Sequence, residues 1–459
     1  MTLPVLKIAV VGHTNTGKTS LVRTLTHDRG FGEVRDRGGT TRQVTSVMLE
    51  VDGQPLIELY DTPGLENAPE LIEWLDDLPG ERHDGPDRIA RLLRDGQARE
   101  RFDQEARVLE LMGQVDVGLY VIDAREPVLE KYQDELAVLA RCARPIVAVL
   151  NFTAASGSRE AEWREALARL TLHSVLAFDA VMRDPATEHR LFEKLKAMLD
   201  AFAPTLQAWM AERERADHAR HHAAVTAIAE LLIDVAACRR SYRIDSDHER
   251  QLRLQEIRQS VRRREQVCVD TLLDLYRFAR EDYEDRDLPL TDGRWPDDLF
   301  DPQTLVHYGV HTSKFAGAGA GAGLIFDIST AGLSLGAGTL VGTVAGAGAG
   351  LAGSAGRRLV EKVRGTGRLG VDDPALRLLA WRQLCLLSEL VRRGHASIDP
   401  VRPAAEEAWK RKRLPAPLRR ARHFPAWSAL NPDAGSQSGR DEAIKALVDM
   451  LDDSGNEIN

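Results

Sequence analysis

At 459 residues the chain is too long for one ordinary hydrophobic core and predicts two or three domains. Apolar residues at 43% and charged residues at 29% give a globular balance that excludes a disordered chain. A net charge of −9 argues against a surface coated in nucleic acid, while local basic patches stay compatible with it.

The four cysteines, Cys142, Cys238, Cys268 and Cys385, lie far apart without C-x-x-C spacing. They read as reduced, packed thiols of a cytoplasmic protein rather than a zinc site or disulfide set. The first predicted strand begins close to Met1, which leaves no room for a signal peptide.

That strand, residues 8–11, runs into Gly12-His13-Thr14-Asn15-Thr16-Gly17-Lys18-Thr19, followed by Ser20. The stretch fits the phosphate-loop pattern G-x-x-x-x-G-K-[ST], placed between a buried strand and a helix start. Glycines let the backbone wrap a phosphate with N–H groups pointing inward, and the helix N-terminus adds positive potential. Lys18 is placed to reach β- and γ-phosphates, and the Thr19 hydroxyl to ligate Mg²⁺.

Residues 21–25 continue as helix, and a polar, glycine-containing stretch leads to Arg42. Residues 44–51 read as a strand, Asp52-Gly53 as a hairpin turn and residues 56–60 as a second strand. The second strand ends in Asp61-Thr62-Pro63-Gly64. An acid there can hold Mg²⁺ through its water shell, and the Gly64 N–H can sense a γ-phosphate.

Buried strands follow at 117–123, 145–150 and 174–178, with helical patterns at 104–112, 129–141, 159–170 and 189–202. The alternation predicts a three-layer α/β/α domain with ligands at the strands' carboxyl ends. Residues 65–103 are a longer, charged connection and read as an insertion beside the active site.

These motifs make residues 1–203 resemble a P-loop GTPase of the translation-factor-related class, of the Era and TrmE-like kind. In that resemblance Gly12 to Thr19 is the first motif, and Asp61 to Gly64 the third. Thr41, within Gly39-Thr40-Thr41-Arg42, matches the switch I threonine that caps Mg²⁺. The resemblance implies GTP and GDP as ligands, with Mg²⁺ held by Thr19, Thr41 and Asp61. It places Lys18, Thr41, Asn15 and Gly64 in the catalytic centre.

The fourth motif departs from the pattern. The family has Asn-Lys-x-Asp, whose aspartate reads guanine through two hydrogen bonds, whereas this chain has Asn151-Phe152-Thr153-Ala154. The fifth, normally Ser-Ala-Lys, appears as Phe178-Asp179-Ala180, so Asn151, Asp179 and Ala180 complete the candidate binding set. Losing a hydrogen-bonding partner erodes discrimination, so GTP is expected with ATP or loose specificity as the alternative.

Leu65 follows Gly64 where signalling GTPases carry a water-orienting glutamine, so low intrinsic turnover is expected. Asn15 matches the asparagine that coordinates K⁺ in TrmE-like proteins; its other reading is a loop-stabilising residue. A cation there would supply the charge that an arginine finger supplies elsewhere.

Pro204 marks the boundary to a second domain, 204–459. Apolar residues recur at helical spacing at Val225, Ile228, Leu232 and Val235, at Ile257, Val261 and 268–279, and at Leu376, Leu379, Leu384, Leu387 and Val391. No strand alternation stands out, so a mainly α-helical domain is predicted. Residues 241–247 read as an inter-helix turn and 285–309 as an irregular connection. His218, His221 and His222 read as a solvated helix face, with metal chelation the weaker alternative.

Residues 315–356 carry one charge, Asp327, followed by 29 uncharged residues up to Gly356. Length alone would permit a membrane span, but large apolar residues are few. Gly338, Gly342, Gly346 and Gly350 put a flat groove on one helix face. Three readings compete: a hairpin in or on a membrane, a tightly packed hairpin in a soluble domain, and a flexible linker. The basic segment 410–422 suits anionic lipid or RNA phosphates, and equally a solvated surface. The tail from Asn431 reads as mostly disordered, apart from a short helix at 443–451.

The whole chain resembles bacterial proteins that join an Era-like domain to an uncharacterised, glycine-rich C-terminal domain. The expected function is a GTP-driven switch that engages an anionic membrane surface or a membrane-protein partner, in the cytoplasm or at the inner membrane. The alternatives are an RNA-assembly GTPase using the basic segment, and a nucleotide-binding scaffold with negligible turnover. A nucleotide-dependent homodimer is a further partner expectation.

Overall fold

The computed structural model describes residues 3–26, 44–79, 84–179, 185–276, 288–301, 304, 325–327, 365–392, 414–432 and 438–456. Thr41, Ala180, residues 410–413 of the basic segment and residues 315–356 apart from 325–327 lie outside the described residues. The chain divides into two compact units, one formed mainly by Met1–Ala216 and the other beginning at Asp217.

The first unit is built on a six-stranded sheet. Its strands are β1 (Leu6–Val11), β2 (Thr45–Val51), β3 (Gln54–Asp61), β4 (Val117–Asp123), β5 (Ile146–Asn151) and β6 (Val175–Ala177). They lie in the order β2-β3-β1-β4-β5-β6, with β2 antiparallel to β3 and the rest parallel. Alternate residues enter two cores: Leu6, Ile8 and Val10 face one, Ala9 and Val11 the other.

Helix α1 (Lys18–Thr26) covers the first face through Leu21, Val22 and Leu25. The second face is filled by Tyr132, Leu136 and Leu139 of α6 (Glu130–Ala140) and by Trp163 and Leu167 of α7 (Glu160–Arg169). The register pairs Val10 with Asp61 and Asp123 with Asn151, so the carboxyl ends that bear the motifs are aligned. Asp52 and Gly53 both take positive φ (51° and 76°), the two-residue turn that the sequence predicts.

The described residues of the insertion 65–103 are mostly helical. They form α2 (Ala68–Asp76), α3 (Gly85–Arg94) and α4 (Gly96–Arg101), which lead into α5 (Asp103–Met112). Leu71, Leu75, Ile89, Leu92 and Phe102 share a core of their own with Leu109 and Val138. Helix α8 (Pro185–Met198) closes the unit together with the start of α9 (Ala203–Ala237). Pro204 sits in the first turn of α9, where its missing N–H costs nothing.

The second unit is mainly helical, as expected. Its core draws on the end of α9, α10 (Asp247–Leu275), α11 (Asp373–Arg392), α12 (Ala416–Ala421) and α13 (Arg440–Asn456). Three details differ from the sequence reading. The unit also holds a three-stranded antiparallel sheet of β7 (Arg240–Arg243), β8 (Ile325–Asp327) and β9 (Thr366–Val371), in the order β7-β9-β8.

Residues 241–243 are therefore strand, not turn. Only Tyr242 of that strand is buried, so it carries no apolar alternation, and Gly367 opposite leaves room for its ring. Residues 325–327 are likewise strand rather than helical hairpin, held by pairing with β9. Last, the tail is not loose at Asn431, whose side chain bonds Arg239, Arg240, Ala237 and Pro425, and α13 outruns the short helix predicted there.

Candidate nucleotide-binding site

The loop between β1 and α1 is shaped by residues that tolerate its backbone. Gly12 has φ 140°, and a β-carbon there would meet the Val121 carbonyl at 2.5 Å. Gly17 has φ 92°, and its β-carbon would lie 2.3 Å from Asn151 Nδ2. Asn15 sits at φ 65°, with an exposed side chain.

Lys18 is buried in this loop, its Nζ donating to the carbonyls of Gly12 (3.1 Å) and His13 (2.7 Å). Burial pushes its pKa down to about 8, against the opposing pull of the Asp61, Glu135 and Glu66 carboxylates. Thr16 Oγ1 donates to the His13 carbonyl, and half-buried Ser20 accepts the Thr24 hydroxyl at its carbonyl within α1.

Thr19 Oγ1 donates to Asp61 Oδ2 at 2.6 Å. Asp61 is only 1% exposed, and its Oδ1 is buried without a hydrogen-bond partner among the described residues. Burial raises its carboxyl above the usual range, opposed by Thr19 and Lys18. An orphaned carboxylate oxygen beside a threonine hydroxyl supplies hard oxygen donors that fit Mg²⁺.

The chain after β3 presses against the loop. Thr62 Oγ1 donates to the Val10 carbonyl at 2.8 Å, and a β-carbon on Gly64 would lie 2.2 Å from Thr14 Oγ1. Leu65 is fully buried, with its N–H on the Gly12 carbonyl at 3.3 Å. Its side chain belongs to the core and offers nothing to hold water. Thr14 Oγ1 donates to Glu66 Oε1 at 2.7 Å, while buried Glu105 of α5 accepts the N–H groups of Glu66 and Asn67, both at 2.9 Å.

Sequence reasoning missed a polar chain behind the loop. His13 Nδ1 lies 2.6 Å from Glu135 Oε1, and Tyr120 Oη donates to Glu135 Oε2 at 2.7 Å. Lys131 Nζ approaches His13 Nε2 at 3.1 Å. The signal was an acid on the apolar face that Tyr132, Leu136 and Leu139 define. Glu135 is 1% exposed, and its charge lifts the Tyr120 phenol further above the range that burial already raises.

At the far end Asn151 Nδ2 donates to the Thr16 carbonyl and its Oδ1 accepts the Phe152 N–H, both at 2.9 Å. Phe152 has φ 57°, and the Arg125 guanidinium lies 4.1 Å over its ring. Arg125 is in turn held on both oxygens of Asp123, at 2.9 and 2.7 Å. Phe178 is buried in the core and Asp179 is half-buried beyond it.

The sequence candidates beyond residue 217 belong to the second unit. Of the histidines, His221 faces Asp452 at 3.6 Å, and no cluster of three metal-binding side chains occurs among the described residues. In the basic segment Arg422 pairs with Asp373 and Arg420 with Glu442. Among the described residues no helix is long and apolar enough to cross a membrane.

A mixed sheet, a phosphate loop clasping a buried lysine and an Asp-x-x-Gly turn against that loop define the P-loop GTPase class of α/β domain. Residues 7–152 match the family model described as "50S ribosome-binding GTPase". The chain belongs to the family described as "Domain of unknown function (DUF3482)", whose model matches residues 164–449.

Among curated relatives, the tRNA modification GTPase MnmE of Rhizobium etli (strain CIAT 652) is 43% identical over 67 residues, 15% of each chain. The GTPase Der of Sulfurihydrogenibium sp. (strain YO3AOP1) is 25% identical over 204 residues, 44% of this chain and 39% of that one. The chain thus spans well under half the length of these relatives. Among solved structures, Era of Aquifex aeolicus bound to GDP.AlF4⁻ aligns with 18% identity and a TM-score of 0.28, over 39% of this chain and 52% of that one.

Proposed function

We propose that the protein binds GTP with Mg²⁺, hydrolyses it slowly to GDP, and uses the change as a switch through which its helical half engages a membrane or protein partner. The single observation that carries this is the Thr19–Asp61 pair beside buried Lys18. The Lys18 ammonium, resting on two loop carbonyls, is positioned to exchange them for β- and γ-phosphate oxygens. Loop N–H groups cradle the phosphates, with Asn151 bracing the loop through the Thr16 carbonyl. Thr19 and Asp61 would hold Mg²⁺ together with Thr41. When bound, the ion neutralises charge on the phosphates.

The Gly64 N–H would report the γ-phosphate, and the close approach of Gly64 to Thr14, which leaves no room for a β-carbon, supports coupling between that turn and the phosphate loop. Buried Leu65 supports slow turnover, since it cannot orient water. That same observation favours a second reading, a nucleotide-binding scaffold without turnover.

The test is single-turnover GTP hydrolysis by the full chain with Mg²⁺ and K⁺, with and without anionic liposomes. Conversion to GDP that is lost in Lys18→Ala supports the switch. Binding without conversion under every condition supports the scaffold instead.

A further inference from the structure

His13 follows the first glycine of the phosphate loop, and its ring is held on both nitrogens. Nδ1 lies 2.6 Å from Glu135 Oε1 of α6 and 3.0 Å from the Leu65 carbonyl oxygen. Nε2 lies 3.1 Å from Lys131 Nζ, one turn earlier on the same helix. The ring also packs edge-on to Tyr132, with centroids 5.5 Å apart and planes at 81°.

Both groups facing Nδ1 accept hydrogen bonds, whereas an ammonium only donates them. The imidazole therefore carries its hydrogen on Nδ1 and offers the Nε2 lone pair to Lys131. One hydrogen thus serves two acceptors. Glu135 cannot retreat, because it is buried and its other oxygen accepts the Tyr120 hydroxyl at 2.7 Å. The ring is fixed from behind, and the longer contact, to Leu65, is the one that can open and close without the ring turning.

Leu65 is met from two sides. Its N–H donates to the Gly12 carbonyl at 3.3 Å, and its carbonyl accepts from His13. The residue after Gly64 is thereby strapped by its backbone to the first two residues of the phosphate loop.

We infer that His13 is a positioning residue: its Nδ1–H latches the turn after β3 to the phosphate loop and so holds the Gly64 N–H ready for a γ-phosphate. Glu135 and Lys131 set the angle and tautomer of the ring. This role rests on the reading of the unit as a GTP switch and adds what ties the turn to the loop. A preorganised N–H at Gly64 rewards only the nucleotide that has a γ-phosphate, so the latch favours GTP over GDP.

The test is equilibrium binding of GDP and of the non-hydrolysable imido analogue of GTP to the full chain in Mg²⁺. Asparagine at position 13 puts an amide N–H where the imidazole has Nδ1, whereas glutamine reaches towards the place of Nε2. His13→Gln should lower the ratio of triphosphate to GDP affinity about three- to tenfold, the worth of one neutral hydrogen bond, with GDP affinity unchanged. His13→Asn should restore the wild-type ratio. A side chain that only shapes the loop would weaken both nucleotides together and would not separate asparagine from glutamine. Lys131→Met releases the ring hydrogen to move to Nε2 and should lower the ratio in the same direction.

Equal ratios in His13→Gln and His13→Asn, or a wild-type ratio in Lys131→Met, overturn the inference and leave GTP binding intact. Lys131 is half-buried on α6, so its variant decides alone where the position-13 variants do not fold. A wild type that binds neither nucleotide overturns the nucleotide-site reading as well.

Discussion

Thr19 Oγ1 donates a 2.6 Å hydrogen bond to one oxygen of Asp61, whose second oxygen is buried without a partner among the described residues. A buried polar atom left unpaired costs about 1–3 kcal/mol, so the pair is poised for a cation. Thr19→Ala removes one donor oxygen while the loop remains. GTP affinity in Mg²⁺ should fall about tenfold to a hundredfold, and affinity in EDTA should change little. A titration with equal losses in both buffers would place Thr19 in loop structure alone.

Gly64 has no room for a side chain. A β-carbon there would meet Thr14 at Oγ1 (2.2 Å), N (2.7 Å) and Cα (3.0 Å), two of them backbone atoms that cannot swing away. In Gly64→Ala the chain after β3 must therefore shift off the loop. GDP affinity should stay within a few-fold of wild type, while the difference in protease sensitivity between GTP and GDP states should vanish. Retention of that difference would show that Gly64 does not report the γ-phosphate.

Asn15 projects an exposed side chain from a left-handed backbone position on the loop. If it holds K⁺ beside the nucleotide, GTP turnover in KCl should exceed that in matched NaCl about tenfold or more, since a charge at that place supplies transition-state stabilisation. Asn15→Ala should level the two rates. Equal wild-type rates in both salts would reduce Asn15 to a loop-stabilising role.

The second unit carries its own titration. Asp372 accepts the Ala375 N–H at the start of α11 on Oδ1, at 3.0 Å, and its Oδ2 is buried without a hydrogen-bond partner among the described residues. Burial raises its pKa from 3.8 to about 7. A carboxyl raised in the folded state holds a proton there that the unfolded chain has already released. Its contribution to stability is full below pH 4 and is lost as pH rises through about 7. Asp372→Asn keeps the capping oxygen and removes the titration. Relative to wild type the variant should gain about 1–3 kcal/mol between pH 5 and pH 8, read from denaturant midpoints. Parallel pH profiles would show that Asp372 is not protonated in the folded state.

The phosphate loop, Asp61 and Gly64 were legible because a spacing of glycines, lysine and hydroxyl has one mechanical use between a strand and a helix. The sheet was legible because β1, β4 and β5 are buried on both faces and read as unbroken apolar runs. Strand β7 was not, since Arg240-Ser241-Tyr242-Arg243 buries one ring and owes its extended form to pairing with β9. The Glu135 chain and the Arg125–Phe152 stack join residues that are 122 apart in one case and 27 in the other, a proximity only the fold creates. Leu65 was read from sequence only as the residue after Gly64; its place in the core came from the cluster it shares with Val11 and Val108.

The most direct test of the account is equilibrium binding of GTP to nucleotide-free full chain in Mg²⁺, beside Lys18→Ala. The expected result is saturable binding of one GTP per chain, weakened at least about tenfold in the variant by loss of its charged contacts. Failure of the wild type to bind any purine nucleotide in Mg²⁺, or equal binding by Lys18→Ala, would contradict it.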